Sequence, residues 1–361
     1  MNNVLFQRKT SAIATLLCAS AAMLPGVSAA QDNDTINIGL NVSWPGFSFL
    51  EVARQKDLAG DHELNLTIFE DPLGGHAALA AGQIDVYLST AEYTPFAIDR
   101  GTDTVLVSHL NISYGVDKVL IADDMSAEEL QGQKVGAPQA YIGEILMGMW
   151  LDKEGLSPND VEWVNLNADE AVGPVMSGDL AAAYMYEPWV TRVLDNLDTA
   201  EIAANTAEPY YLDTGIFMDA MYMNKTFISE QRQAAMDMIR ARFDALQYWH
   251  DNTEEVNQLF SEYLQWPVAD IESVVGTNGK YLDDGLYMLD FDETARICGA
   301  LDGEPPHGLE NGSIVQSVER TNEWWVKLGL MDEVHDAEQG VDCSLIADLV
   351  DSGYRQSMSA R

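Results

Sequence analysis

The sequence predicts an α/β fold with two similar lobes, and three observations support this prediction. Strands rich in branched apolar residues alternate with helical patterns along the chain. Several of these strands end in a short polar or aromatic turn that opens a helix. Two segments, at residues 81–84 and 177–180, also show the same order of features. In each, a helix, a glycine and an acid or amide precede an apolar strand, and a glutamate follows that strand.

The first half of the chain predicts a mainly parallel sheet covered by helices. Residues 36–51 begin with an alternating apolar strand, turn at Ser43 to Gly46, and continue with the helical spacing of Phe47 and Leu50. Further strands are predicted at 64–70, 84–90 and 104–110, with helices at 77–82 and 91–98 between them. Strands that alternate with helices in this order normally pair in parallel, with the helices lying on both faces of the sheet.

The second half repeats this pattern after a crossover at residues 111–124. Strands are predicted at 134–137, 161–166 and 180–186, helices at 142–154 and 168–176, and a second crossover at 210–218. The remainder is mostly helical, at 229–250, 254–264, 292–300 and 315–328, and we expect the acidic end from Asp332 to run over the surface. Residues 31–112 and 216–361 should therefore form the first lobe with the C-terminal helices, and residues 113–215 the second.

The N-terminal 30 residues have the pattern of a secretory signal peptide. Arg8 and Lys9 precede an apolar stretch at residues 11–24, and small residues follow it. We predict cleavage near Ala29 or Ala30 and export to the periplasm. The alternative, an N-terminal membrane anchor, is disfavoured because the apolar stretch is short for a bilayer span.

The charge balance is strongly acidic, with 58 Asp and Glu against 19 Lys and Arg and a net charge of −39. Such a chain repels phosphate, so a nucleic-acid partner is excluded. The acids are spread along the sequence rather than gathered in a tail. This favours a solvated surface suited to a salty medium over a surface that serves a cationic partner.

Cysteine content and enzyme motifs limit the chemistry further. Cys298 and Cys343 remain after signal cleavage, and they could form a disulfide in an exported protein or stay as two free buried thiols. The sequence lacks zinc-type Cys and His spacing, and it lacks the GxSxG, P-loop and HExxH motifs. We expect no catalytic residue, no metal and no cofactor.

Four short segments resemble a known protein family. They are Ile38-Gly39 before Trp44-Pro45-Gly46, the run at residues 78–86, Gly136-Ala137-Pro138, and Tyr186-Glu187-Pro188-Trp189. In this order they resemble the periplasmic solute-binding proteins of ABC importers in the nitrate, sulfonate and taurine group (NitT/TauT and SsuA/THI5-like), over about the first 220 residues. The resemblance implies a monomeric, two-lobed clamshell of the type II binding-protein fold that delivers a small molecule to a permease in the inner membrane.

The same resemblance implies a ligand between the lobes, contacted by the turns that follow the strands. The candidate ligand-binding residues are Ser43, Trp44, Phe47, Ser89, Thr90, Glu92, Asn111, Ser113, Tyr114, Gln139, Tyr141, Glu187, Trp189, Asp213 and Thr214. Each also has a structural interpretation. The hydroxyl residues could be helix caps, the acids could be solvated or lie in first helical turns, and the aromatic residues could belong to the core.

The turns contain acids and aromatic residues but almost no basic residues. Arg100, Lys118 and Arg192 are the nearest, and they lie outside the turns. A desolvated amine or quaternary ammonium favours aromatic faces with a carboxylate nearby. The composition of the turns therefore favours a ligand with a positive nitrogen, such as an amino-sulfonate zwitterion or a small amine, over nitrate or a plain alkyl sulfonate.

Two other functions remain open from the sequence. An enzyme similar to the thiamine-pyrimidine synthases would share the fold, but the cysteine cluster and active histidine of those enzymes are missing here. A sensor ectodomain that presents its ligand to a partner protein would need the same kind of cleft.

Overall fold

The computed structural model describes residues 35–277 and 285–354. The predicted signal peptide at residues 1–30 lies outside them. The strands in the described ranges are Thr35–Asn41 (β1), Glu63–Phe69 (β2), Val86–Thr90 (β3), Thr104–Tyr114 (β4), Asp117–Ile121 (β5), Lys134–Gly136 (β6), Glu162–Val164 (β7), Ala182–Tyr186 (β8), Glu201–Asn205 (β9), Met218–Asn224 (β10) and Gly285–Met288 (β11).

The helices occur between and after these strands, as the sequence pattern predicts. They are Phe49–Gln55 (α1), Pro72–Ala80 (α2), Thr94–Asp99 (α3), Ala127–Leu130 (α4), Ile142–Lys153 (α5), Ala168–Ser177 (α6), Trp189–Leu194 (α7), Pro209–Leu212 (α8), Lys225–Glu230 (α9), Arg232–Asp251 (α10), Thr253–Leu264 (α11), Val268–Val275 (α12), Phe291–Ile297 (α13), Ser313–Lys327 (α14) and Ser344–Asp351 (α15). Among these helices and the rest of the described chain, none combines the length and apolar character that a bilayer crossing requires.

The first sheet has six strands in the order β11-β4-β10-β3-β1-β2. Strand β1 pairs in parallel with β2 and β3, whereas β10 runs antiparallel between β3 and β4. Strands β1 to β4 therefore share one direction, and β10 and β11 run against them. The shared direction brings the carboxyl ends of β1, β3 and β4 to one edge of the sheet, where ligands of open α/β sheets bind.

The second sheet has five strands in the order β7-β6-β8-β5-β9. Strands β6, β7, β8 and β9 share one direction, and β5 runs against them. The predicted α/β fold with two sheets and flanking helices is confirmed, but both sheets are mixed rather than mainly parallel, because β10 and β11 in the first sheet and β5 in the second run against their neighbours. The sequence analysis missed four strands: β5, which it assigned to the first crossover, β9, which lies just before the second crossover, and β10 and β11, which begin at or after the end of that crossover.

Two connections join the sheets, one from β4 to β5 and one from β9 to β10. The buried hydroxyl of Thr206 ties them together, since it lies 2.8 Å from the hydroxyl of Ser113 and accepts from the backbone N–H of Gly115 at 3.2 Å. The N–H of Ser113 also donates to the carbonyl of Phe217 on the returning connection. The two crossings therefore lie side by side, and rotation about them would open or close the gap between the sheets.

The acidic C-terminal segment runs over the surface only in part: residues 332–334 are exposed, but α15 is not a surface helix as expected. Leu345, Ile346 and Leu349 on α15 are fully buried in the core of the first sheet. The apolar residues of α15 recur at helical spacing, and this pattern outweighs the acidic composition around it. A disulfide between Cys298, at the end of α13, and Cys343, at the start of α15, attaches the segment to the rest of the protein.

Candidate ligand-binding site

A small cavity of about 30 Å³ lies between the two sheets, and we call it the inner cavity. It has room for about two groups the size of a water molecule. Residues from the edges of both sheets line it, namely Asn41, Val42, Trp44, Phe47, Thr90, Asn111, Ser113, Asp117, Tyr141, Ile142, Tyr184, Tyr186, Phe217, Met218, Asp219 and Leu286.

A larger cleft of about 390 Å³ adjoins the inner cavity, and we call it the outer cleft. The two spaces share Asn41, Val42, Tyr141 and Tyr186 as lining residues. The outer cleft is further lined by Ser43, Glu70, Asp71, Pro72, Leu73, Tyr93, Pro138, Gln139, Ala140, Asn165, Asn167, Ala168, Asp169, Trp189 and Trp266.

The structure brings nine of the fifteen predicted site residues to these two spaces. Those in the inner cavity are Trp44, Phe47, Thr90, Asn111, Ser113 and Tyr141. Those that lie only in the outer cleft are Ser43, Gln139 and Trp189. The predicted turns therefore meet in one region, although their residues are far apart in the sequence.

The other six predicted residues do not line either space. Ser89 is fully buried. It precedes Thr90 on β3, and since neighbouring strand residues point to opposite faces, its side chain points away from the cavity that Thr90 lines. The ring of Tyr114 packs against His307 at 4.5 Å. The remaining residues make other contacts within the protein and are Glu92, Glu187, Asp213 and Thr214.

Three of those four have contacts of a structural kind. Glu187 accepts from the hydroxyl of Thr191 at 2.8 Å and lies 3.5 Å from the ammonium of Lys118. The backbone carbonyls of Asp213 and Thr214 accept from the Arg320 guanidinium. These interactions hold α7 and α14 in place. The three residues therefore have a structural role that does not require a ligand.

Asp219 is a residue of the inner cavity that the sequence analysis missed. Its Oδ2 accepts from Trp44 Nε1 at 2.9 Å and from Asn111 Nδ2 at 2.7 Å. Burial raises the pKa of this carboxyl to about 7. The signal in the sequence was an acid within the otherwise apolar strand MDAMYMN, where an acid needs a specific partner to be buried.

Asp117 is a second missed carboxylate, and it lines the cavity from the second sheet. Its Oδ1 accepts from the hydroxyl of Tyr184 at 2.5 Å. Burial raises the pKa of Asp117, although the neighbouring Lys118 charge acts in the opposite direction. Tyr184 and Tyr186 were also missed, because the strand LAAAYMY looked like ordinary core.

Glu92 connects the two halves of the molecule although it does not line the cavity. It follows β3 of the first sheet, and its Oε1 accepts from the backbone N–H of Ile142 at 3.0 Å and from Thr90 Oγ1 at 2.7 Å. Ile142 is the first residue of α5, on the side of the second sheet. The carboxyl group therefore occupies the positive end of α5, where an external anion would otherwise bind.

The inner cavity combines two carboxyl groups with neutral polar and aromatic side chains. Among the residues that the structure describes, no lysine or arginine lines the inner cavity or the outer cleft. Asn41 is 1% exposed, and its Oδ1 has no hydrogen-bond partner within the described chain. A buried acceptor without a partner is costly, and the cavity would therefore favour a ligand that brings N–H donors and positive charge.

Comparisons with known proteins agree with the fold. A family model described as NMT1/THI5 like matches residues 44–256. A protein of Brucella abortus, itself named a binding protein only by inference, is 25% identical over 275 residues, which cover 74% of this chain and 83% of that protein.

Two solved structures share the fold at low sequence identity. One is the alkanesulfonate-binding protein SsuA from Xanthomonas axonopodis pv. citri bound to MOPS, at 15% identity and a TM-score of 0.65, covering 86% of this chain and 98% of that one. The other is the desulfurization enzyme DSZB, at 16% identity and a TM-score of 0.58, covering 89% of this chain and 99% of that one. The fold therefore occurs in a binding protein and in an enzyme, and the function has to be argued from the site.

The state of Glu92 gives a prediction for the variant Glu92→Gln. Burial raises the pKa of the folded-state carboxyl to about 8, above its ordinary 4.5. The unfolded chain loses the proton of this carboxyl near pH 4.5, but the folded chain keeps it until about pH 8. The free energy of unfolding of the natural protein should therefore fall as the pH rises from 4.5 towards 8. Because Gln resembles the protonated acid, we expect similar unfolding free energies at pH 5, and a more stable variant at pH 8 by on the order of 1–3 kcal/mol.

Urea unfolding at the two pH values measures this effect. Glu162→Gln, at an exposed position of β7, is the matched control and should leave the pH dependence unchanged. A Glu92→Gln variant that is less stable by the same amount at both pH values would mean that the ionised carboxylate holds Ile142 N–H, contrary to the prediction.

Proposed function

The chain belongs to the NMT1/THI5-like family, and on that premise we propose that it is the extracytoplasmic substrate-binding component of an ABC importer. Its ligand is a small organic solute with a positive nitrogen, either a small amine or a zwitterion of the amino-sulfonate type. The single observation that carries the ligand class is the inner cavity, where Asp117 and Asp219 meet aromatic rings and no described basic residue.

The contacts in this cavity favour a cation over an anion. Asp219 is held by two neutral donors, and its Oδ1 accepts no hydrogen bond from the described residues. The ring of Trp44 lies edge-on to Tyr186 at 5.3 Å, and Tyr141 and Tyr184 complete the wall. An ammonium group gains from nearby carboxylates and aromatic faces. Nitrate or a plain alkyl sulfonate would instead meet two acids of like charge.

Glu92 supports the same choice. An anionic ligand in a cavity without basic residues would depend on the N-terminus of a helix. The N–H of Ile142 at the start of α5 already donates to Glu92. The N-terminus of α5 is therefore occupied by a side chain of the protein itself.

Capture requires movement but no chemical reaction. The chain passes between the two sheets through the connections that Thr206 ties together, and the ligand would contact both sides of the gap only when the gap is closed. Binding then shifts the population towards the closed form, which docks on the permease in the inner membrane. The signal-like N-terminus and the excess of acidic residues suit a periplasmic protein.

A thermal-shift panel tests the proposed ligand class. The compounds are small primary amines, taurine, alkyl sulfonates, pyrimidines and nitrate. We expect amines, or taurine through its amine, to raise the melting temperature by mass action, whereas nitrate and plain alkyl sulfonates leave it unchanged. Stabilisation by sulfonates or nitrate alone would contradict the proposal. Chemical conversion of a compound that does not stabilise the protein would support an enzyme on this fold instead.

The variant Asp219→Asn tests the site itself. Removing the charge should weaken binding of the amine found in the panel by about tenfold or more, because a charge-assisted contact is lost. The folded state should persist, since burial already favours the neutral form of this carboxyl at pH 7. Calorimetric titration measures the affinity, with Glu162→Gln as the control. Unchanged affinity for Asp219→Asn would place the ligand elsewhere.

A further inference from the structure

We infer that the captured solute is a dication, a linear molecule with one ammonium group in the inner cavity and a second in the outer cleft. This inference rests on the proposed function and narrows its ligand class from any positive nitrogen to an aliphatic diamine. It follows from the sizes of the two spaces, their continuity and the charges that line each of them.

The size of the inner cavity sets the first limit. At about 30 Å³ it has room for a head group such as an ammonium, while the outer cleft has about 390 Å³. The remainder of any organic solute must therefore lie in the outer cleft. Asn41 borders both spaces, and its buried Oδ1 lacks a partner among the described residues, so a donor is needed where the two spaces meet.

The passage between the two spaces is suited to an apolar chain. Tyr141, Tyr186 and Val42 line both of them, so rings and a branched side chain surround the junction. Methylene groups gain by burial against such surfaces, whereas a charged or strongly polar middle section would lose hydration there. The two polar ends of the solute are thus separated by a short hydrocarbon segment.

The outer cleft is acidic on both sides. Glu70 and Asp71 follow β2 on the side of the first sheet, and Asp169 lies in the first turn of α6 on the side of the second. Burial raises the pKa of the Tyr186 hydroxyl to about 12, and the negative charges of Asp169 and Glu70 act in the same direction. Both acids are therefore close enough to Tyr186 to interact with it. Two indole rings, those of Trp189 and Trp266, complete the lining.

These charges disfavour a zwitterion and favour a second ammonium. A sulfonate or carboxylate at the outer end would meet three acids, and the N-terminus of α6 already carries Asp169 and Glu170 in its first turn. Closure of the gap also brings acids of the two sides closer together. A positive group between them offsets this repulsion, so the closed form is favoured most by a solute that is positive at both ends.

Calorimetric titration with matched compounds tests the inference. The probes are 1,4-diaminobutane and 1,5-diaminopentane, with butylamine and 4-aminobutanoate as controls of the same length. We expect at least one diamine to bind about tenfold or more tightly than butylamine, and 4-aminobutanoate to bind more weakly than butylamine. A diamine that binds no better than butylamine would overturn the inference while leaving the proposed function intact. Binding by none of the amines would overturn both.

The variant Asp169→Asn locates the second ammonium. It should reduce the ratio of diamine to butylamine affinity to about threefold, whereas Asp219→Asn should weaken both compounds. Glu162→Gln should change neither affinity. A ratio that neither Asp169→Asn nor the double variant Glu70→Gln/Asp71→Asn reduces would place the second charge outside the outer cleft and contradict the inference.

Discussion

The burial of three carboxyl groups in one gap between two sheets is the constraint on which the rest of the site depends. Asp117, Asp219 and Glu92 come from different strands and turns, and each is satisfied only by neutral donors within hydrogen-bond distance. A buried charge without a counter-charge is expensive, so such groups shift towards their protonated form. The proposed cationic solute would supply the positive charge that these carboxyl groups lack within hydrogen-bond distance.

The fold explains how these buried carboxyl groups can be tolerated without a positive partner within hydrogen-bond distance. The carboxyl groups approach one another where the sheets face each other, and the chain passes between the sheets through the paired connections beside Thr206. An opening of the gap would let water reach the acids, whereas closing it removes the water and raises the energy of any unpaired charge. On the proposed function, hinge movement and ligand charge would therefore be parts of a single equilibrium.

The sequence predicted the fold, because the fold depends on local patterns, and nine of the fifteen candidate residues lie around the inner cavity and the outer cleft. Alternating apolar runs located most strands, and the turns after them supplied Trp44, Thr90, Asn111 and Tyr141 to the inner cavity. Local patterns could not assign Asp219 to the site. Its partner Trp44 lies 175 positions away, and the apolar residues around Asp219 are typical of a core strand. Ser89 failed for a related reason, because only the register of β3 decides which of two neighbouring hydroxyls faces the gap.

The most direct test of the central claim is the number of protons released when the amine found by screening binds at pH 7. Calorimetric titration in two buffers of different ionisation enthalpy gives this number. Burial holds the pKa of Asp219 at about 7 and that of Glu92 at about 8, so part of the carboxyl groups carry a proton in the empty site. A bound cation favours the ionised form and should drive protons out, by up to about one per ligand. Proton uptake, or no exchange at all, would contradict the account.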